Sequence, residues 1–297
     1  MPCYSPILGY RSRITNPSGK RSIVFNVTDG FVDLPVTLPC SRCIGCRLER
    51  SRQWAIRCVH EASLHPSNSF LTLTFDSEHL NKDGSLVKRD FQLFIKKLRK
   101  SLSPLKIRYF HCGEYGEKLG RPHHHACIFG YDFPDKTVYK VNNGLPLFIS
   151  PALSALWGNG FASIGELNWE TAAYTARYIM KKRLGDDAED YYNGKIPPYN
   201  TMSRRPGIGA EWLTKYHKDV FPDDFIVIRG NTLCKPPKFY FDKVVDLEPK
   251  LMVPVKQRRR EGSRKAHFDN SPDRLETKRE CAEIRLKQLT RSYENED

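Results

Sequence analysis

Long apolar runs are missing from this chain of 297 residues. Nothing approaches the roughly 18 consecutive apolar residues of a membrane-crossing helix, so no membrane partner is expected. The opening MPCYSPILGYRSR lacks the apolar core and small-residue cleavage site of a secretory leader, which predicts an intracellular protein. No GxxxxGK[ST] phosphate loop is present, which excludes an NTPase motor of that type. Acidic residues are in deficit: 34 Asp and Glu stand against 48 Lys and Arg, a net charge of +14, which points to a polyanionic partner. The nine cysteines are an odd number without an export signal, so metal binding or free thiols replace a disulfide framework as the default. With 39% hydrophobic and 11% aromatic residues the chain is too apolar to stay disordered.

Three regions follow from composition and periodicity. Residues 1–66 form a Cys-rich segment, in which RSIVFNVTDGFVDLPVTL reads as a hairpin around Asp29-Gly30 and a helix runs from about Arg47 to Leu64. In residues 67–240, FLTLTF (70–75) alternates as a strand and DFQLFIKKLRKSL (90–102) is an amphipathic helix. KIRYFHCGE (106–114) and HHHACIFG (123–130) read as strands joined by a turn through YGEKLGRP. A helix spans 168–185, with Asn168 as N-cap and Gly185 just past its end, and FIVI (225–228) is a last short strand. Residues 241–297 form a basic, partly helical extension. Strands joined by short loops imply an antiparallel sheet. The expected fold class is α+β, a central antiparallel sheet flanked by helices.

His123, His124 and His125 are the sharpest local feature. Side chains alternate along a strand, so His123 and His125 share one face and His124 takes the other. With the turn over about 115–122, Glu114 falls opposite His123, at a cross-strand Cβ separation of roughly 5 Å. Two imidazoles and a carboxylate with open positions suit Mg²⁺ or Mn²⁺ better than a closed structural zinc site. The competing reading is three ordinary histidines on a partly exposed strand.

On the 168–185 helix, Tyr174 and Tyr178 stand at i and i+4 beside Arg177 and Lys181, with Lys182 next in sequence. Ala172, Ala173, Ala176, Ile179 and Met180 read as the buried side, which leaves the tyrosines off the core face. They are then either surface aromatics or phenolic nucleophiles aimed at a phosphate that the cations draw in. Phenol has a pKa near 10, so such attack needs a metal on the phosphate and positive charge on the phenolate.

Cys40, Cys43 and Cys46 form C-x₂-C-x₂-C, without the further Cys-Pro of a bacterial iron–sulfur run. Structural Zn²⁺ would need a fourth ligand; Cys58 is the expected one, with Cys3 and His60 as alternatives. Cys112 and Cys127, within strands, read as packing residues. Arg204-Arg205, with Arg42, Arg47, Arg50, Arg52 and Arg258-Arg259-Arg260, are candidate phosphate contacts.

Taken together, the motifs resemble the HUH endonucleases and, within them, the rolling-circle replication initiators of microviruses of the gokushovirus type. FLTLTFD (70–76) matches the family's first motif, His123-His124-His125 its His-hydrophobic-His motif, and YTARYIMKK its Tyr-x₃-Tyr-Lys motif. The middle position is His here, a departure that faces away from the ligands. The flanks CSRCIGCRLERSRQWAIRC and TMSRRPGIGAEWL extend the resemblance over about residues 1–240. The resemblance implies a metal-dependent tyrosine endonuclease with strand-joining activity, with His123, His125 and Glu114 on the metal and Tyr174, Tyr178 and Lys181 in the chemistry. Arg177, Lys182, Arg204 and Arg205 would contact DNA. It further implies nicking of a circular viral origin, a 5′-phosphotyrosine link, a 3′-OH for host DNA polymerase, a host helicase for unwinding, and the bacterial cytoplasm as the place. The rivals are a relaxase or transposase of the same superfamily, and a zinc-stabilised single-strand-binding module whose tyrosines only stack bases.

Overall fold

Alternation in NSFLTLT forces a choice of faces: Leu71 and Leu73 must be covered from one side, and Phe70 and Thr72 from the other. The computed structural model describes residues 3–116, 119–142, 144–181, 188–228, 230, 232–266 and 268–288; for residues 142, 177–181 and 188–189 it describes the backbone alone. The chain divides into a smaller unit within residues 1–49 and 263–289 and a larger one within 50–262.

The smaller unit contains strands β1 (Ile7–Thr15), β2 (Arg21–Val24) and β3 (Gly30–Leu38), in the order β2-β1-β3. The expected hairpin around Asp29-Gly30 is therefore corrected. Both flanking strands pair with β1, and Val27–Asp29 forms a short 3-10 turn capped by the Asn26 side chain. Helix α1 (Ile44–Ala62) leads out of this unit.

The larger unit is built on β4 (Asn68–Thr74), α2 (Lys88–Ser101), β5 (Arg108–Tyr115), β6 (Pro122–Phe129), β7 (Thr137–Asn142), β8 (Leu145–Ile149), α3 (Pro151–Trp157), β9 (Ala162–Gly165), α4 (Trp169–Lys181), α5 (Ala188–Tyr192) and β10 (Tyr199–Met202). The remaining elements are α6 (Ala210–Val220), β11 (Ile226–Ile228), β12 (Thr232–Cys234), α7 (Lys238–Leu247) and α8 (Met252–Lys265); α9 (Pro272–Gln288) belongs to the smaller unit. Seven strands form one antiparallel sheet in the order β10-β5-β6-β4-β9-β8-β7, as the fold class requires. β10, only four residues long, pairs along β5 and closes that edge of the sheet.

Helices cover both faces. On one, Phe91, Phe94, Ile95 and Leu98 of α2 pack with Leu153 and Trp157 of α3 on Leu71, Leu73 and Ile128. On the other, Cys58 of α1 and Ala172, Tyr174 and Ala176 of α4 pack on Phe70, Phe110, Cys112, Cys127 and Phe129. Cys112 and Cys127 thus fill core, as read from the sequence. Helix α3 starts on Ser150, whose Oγ accepts from the Leu153 N–H, with Pro151 at its first turn. Asn168 caps α4 through its Oδ1, which accepts from the Thr171 N–H at 3.0 Å; Gly185 lies outside the described residues.

His60 of α1 stacks on Trp212 with ring centres 3.5 Å apart, and its Nδ1 lies 3.0 Å from the Tyr240 hydroxyl. Burial drives its pKa down to about 4, so the folded ring stays neutral where the unfolded one, near 6.5, takes a proton. The unfolded state then binds more protons between about pH 6.5 and 4, so stability falls as the pH drops through that window. We expect thermal melts to show this decline in the native chain and a shallower one in His60→Gln; parallel declines would reject the assignment.

Candidate metal and nucleophile site

Strand β6 runs between β5 and β4, and its register sets the site. Glu114 pairs with His123 and Cys112 with His125 across β5, while Thr74 pairs with His123 and Thr72 with His125 across β4. Glu114 Oε1 lies 2.9 Å from His123 Nε2 and 3.0 Å from His125 Nε2. All three side chains are buried. Burial pushes the Glu114 carboxyl upward, but hydrogen bonds and charge from the two imidazoles outweigh it and hold it below the usual range.

The donor geometry fits a cation. His123 Nδ1 lies 3.2 Å from the Arg121 carbonyl oxygen, which can only accept, so Nδ1 carries the proton. Nε2 can then donate to Glu114 only from a doubly protonated, cationic ring; in the neutral ring it is a lone pair facing a carboxylate oxygen. Two acceptors at 2.9 Å repel unless positive charge stands with them. Glu114 Oε2 is buried with no hydrogen-bond partner among the described residues. His125 is oriented from behind by Thr72, whose Oγ1 is 3.1 Å from Nδ1, the kind of outer contact that fixes a ligand's tautomer.

His124 takes the opposite face, as strand alternation demands. Its Nδ1 is 3.2 Å from His111 Nε2, and His111 stacks on Phe91 with ring centres 3.5 Å apart. Burial, with the charges of His123 and His125 adding to it, holds the His124 pKa down to about 3.

Helix α4 brings Tyr174 to the face of the sheet that carries Glu114, His123 and His125. Its ring meets that of His125 edge-on at 4.9 Å and that of Phe70 at 6.2 Å, while Phe70 stacks on His125 at 5.6 Å. This corrects the helix face expected from the sequence. Tyr174 is buried, at 7% exposure, and Thr171, Tyr174 and Thr175 share the covered stripe with Ala172 and Ala176, whereas Ala173 is half-buried. Apolarity alone misassigns such a face, because a phenol presents a large apolar ring with a polar tip. Tyr178 follows one turn later, about 6 Å along the axis. The side chains of Arg177, Tyr178 and Lys181, and the whole of Lys182, lie outside the described residues.

The profile of the family described as "Replication-associated protein ORF2/G2P" matches residues 68–183, the stretch that carries β4, Glu114, the histidines and α4. The chain is 35% identical over 249 residues to "Replication-associated protein VP4" of Bdellovibrio phage phiMH2K, covering 78% of each chain. It is 36% identical over 225 residues to "Replication-associated protein ORF2" of Spiroplasma virus 4, covering 71% of this chain and 68% of that one. The chain belongs to the phage replication-associated proteins. "Replication-associated protein ORF4" of Chlamydia phage 1 is 30% identical over 202 residues, or 65% of this chain and 50% of that one. No solved structure matches.

In this replication-associated protein a second cluster lies wholly within the smaller unit. The sulfurs of Cys3, Cys40, Cys43 and Cys46 all lie within 4.8 Å of one another. The expected fourth member, Cys58, is corrected to Cys3: Cys58 is fully buried in the α1 core, where burial and its neighbour Cys127 drive its thiol pKa far up. His60, the other alternative, is engaged with Trp212 and Tyr240. Strand pairing explains the choice. Ile7 of β1 pairs with Leu38 of β3, which runs the segment before β1 alongside the one after β3, and there the Cys40 N–H donates to Cys3 Sγ at 3.2 Å. Backbone N–H groups of Tyr4, Cys40, Arg42 and Cys43 donate to these sulfurs at 3.2–3.4 Å. Burial opposes ionisation of Cys43, but N–H groups aimed at its sulfur and the neighbouring thiols bring its pKa down to about 6.

Arg204 and Arg205 are exposed just beyond β10. Met202 pairs with Phe110, so these arginines follow the end of β5 remote from Glu114. No helix among the described residues is long and apolar enough to cross a membrane.

Proposed function

We propose that this chain initiates phage DNA replication by nicking one strand of a circular duplex origin and joining itself to the cut end through tyrosine. One observation carries the reading: the Tyr174 ring stands 4.9 Å from that of His125, a member of the Glu114–His123–His125 cluster. The cluster's N,N,O donor set with open positions would take a divalent ion, which the family resemblance implies to be Mg²⁺ or Mn²⁺. When bound there, such an ion would polarise the scissile phosphate.

Everything else falls to the chain. Tyr174 or Tyr178 attacks phosphorus through its phenolic oxygen and gives its proton to solvent; the bond from phosphorus to the 3′ oxygen breaks, and that oxygen takes a proton from solvent to become a 3′-OH from which host polymerase extends. The bond made is a 5′-phosphotyrosine ester. It keeps the energy of the phosphodiester broken, so rejoining requires no nucleotide triphosphate, consistent with the missing phosphate loop. After one circuit the other tyrosine cuts the regenerated origin. The 3′-OH so released attacks the first ester and closes a single-stranded circle. Arg177, Lys181 and Lys182 supply positive charge on the same helix for the phosphate and the developing phenolate. Arg204 and Arg205 would hold flanking phosphates. The chemistry resides in residues 67–240, unwinding falls to a host helicase, and the work is done in the bacterial cytoplasm.

The four-cysteine cluster takes Zn²⁺ in a structural role. Sulfurs about a tetrahedral zinc at 2.3 Å stand roughly 3.8 Å apart. Here Cys40 and Cys46 lie at 4.0 Å and Cys3 and Cys43 at 3.9 Å. Elemental analysis of the purified chain should find zinc, lost in Cys3→Ser and kept in Cys58→Ala; the reverse pattern would reassign the fourth ligand.

The proposal is tested with supercoiled plasmid carrying the cognate origin. Nicked circles with protein attached after denaturation, absent with EDTA and restored by Mn²⁺, are expected. Binding without any nick would leave only a DNA-binding role.

A further inference from the structure

Helix α2 buries Phe91, Phe94, Ile95 and Leu98 and turns its other side outward. That outward side is cationic. Lys88, Arg89, Lys96, Lys97, Arg99 and Lys100 are all exposed, and Asp90, half-buried in the first turn, is the helix's one acidic residue. At 100° per residue Arg89, Lys96 and Lys100 fall within about 20° of one line diametrically opposite the buried stripe, with Lys97 to one side. The line is straight and about 16 Å long at 1.5 Å per residue, with successive charges roughly 10 and 6 Å apart.

Folding explains only part of this pattern: Lys100, in the last turn, complements the helix dipole, whereas Arg89 in the first turn opposes it and Lys96 gains nothing from it. Lys96 and Lys100 stand at i and i+4, where like charges weaken a helix. An acid at Gln92 or Leu93 would have given Lys96 an intrahelical partner, and none is there. Lys88 and Arg99 already have partners, lying over the rings of Tyr199 and Tyr109. The cations of the central line project into solvent from a helix whose position is fixed by the core beneath it.

The face is remote from the chemistry. Side chains of α2 pack on Leu71 and Leu73, whereas Thr72, between them, points to His125 on the opposite side of the sheet. Nor does the face offer stacking platforms: its exposed positions hold Gln92 and Leu93 between the cations and no aromatic. Single strands are gripped by aromatic rings along a basic groove, duplexes by straight rows of cations on the backbone.

We propose that the outer face of α2 binds the phosphate backbone of double-stranded DNA, on the side of the sheet away from the candidate nicking site. Its task is to hold intact duplex next to the origin while the nicked strand occupies the other face. That task rests on the proposed nicking function, whereas the binding of uncut duplex can be measured apart from the tyrosine chemistry.

The test uses the full chain and a fluorescent duplex of unrelated sequence, with affinity measured across a salt series. Lys96→Ala/Lys97→Ala/Lys100→Ala should reduce the slope of log K against log salt by about 2 to 3, at roughly 0.9 per phosphate contact. Duplex affinity near physiological salt should fall at least about ten-fold, while affinity for oligo-dT changes less than about two-fold. Lys→Arg at the same three positions should restore the duplex slope, which separates lost charge from lost fold. An unchanged slope in the alanine variant, an equal loss for duplex and oligo-dT, or failure of the arginine variant to restore it would each overturn the proposal. Loss of nicking alone, with duplex binding and slope intact, would speak against the face and leave the tyrosine reading standing.

Discussion

Replacing His123 with Ala, or Glu114 with Gln, should lower origin nicking by about a thousand-fold, the scale set by removing a principal electrostatic stabiliser of a transition state. The argument starts from the cluster's unbalanced geometry. Glu114 Oε1 faces two imidazole nitrogens at 2.9 and 3.0 Å, and His123 directs its proton away from the carboxylate, to the Arg121 carbonyl. Such an arrangement calls for positive charge, which a bound cation or a protonated imidazole would supply. Gln preserves the shape of Glu114 but removes its negative charge, so the site should no longer hold a divalent ion while β5 keeps its place between β6 and β10. Melting temperature should therefore stay within a few degrees of the native value when both are measured in EDTA. Duplex binding, which depends on surface cations, should persist. Nicking that survives either substitution at its native rate would exclude the cluster from the reaction.

Tyr174→Phe combined with Tyr178→Phe should reduce the covalent protein–DNA product to background while changing DNA affinity by less than about two-fold. Phe keeps the ring that packs edge-on against His125 and Phe70, so the site's walls stay in place and only the hydroxyls go. Each single variant retains one hydroxyl on the helix. Either should still nick once, but the second cut needed to release a circle should fail. Adduct formation by the double variant would place the nucleophile elsewhere. A merely stacking role for the tyrosines predicts the opposite pattern: Phe would stack as well as Tyr, and no activity would change.

Much of the site can be read from the chain because it depends on strand arithmetic. A period of two puts His123 and His125 together and His124 apart, and a short turn sets Glu114 across from His123; the register agrees at each position. The fold class follows from the same short connections. Three features resist such reading for identifiable reasons. The α4 face is ambiguous in sequence because alanines and tyrosines compete for the sheet, and Tyr174 covers His125 and Phe70 better than any smaller residue would. Closeness in sequence favours Cys58 over Cys3, whereas the β1–β3 pairing that returns Cys3 to Cys40 spans some thirty residues with weak alternation. β10 is four residues long and interrupted by no pattern of its own; it forms because β5 offers an open edge. Thr72, by contrast, lies inside a readable strand. Its bond to His125 could have been found from register alone, since it is the β4 residue directly opposite.

The central claim is that a phenolic oxygen of α4 attacks a phosphate held at the Glu114–His123–His125 cluster. Its most direct test is mass spectrometry of the peptide that remains bound to nucleotide after the adduct is digested with protease and nuclease. The account predicts a peptide spanning residues 174–178 with the nucleotide on Tyr174 or Tyr178; a modified serine, or a tyrosine from any other element, would contradict it.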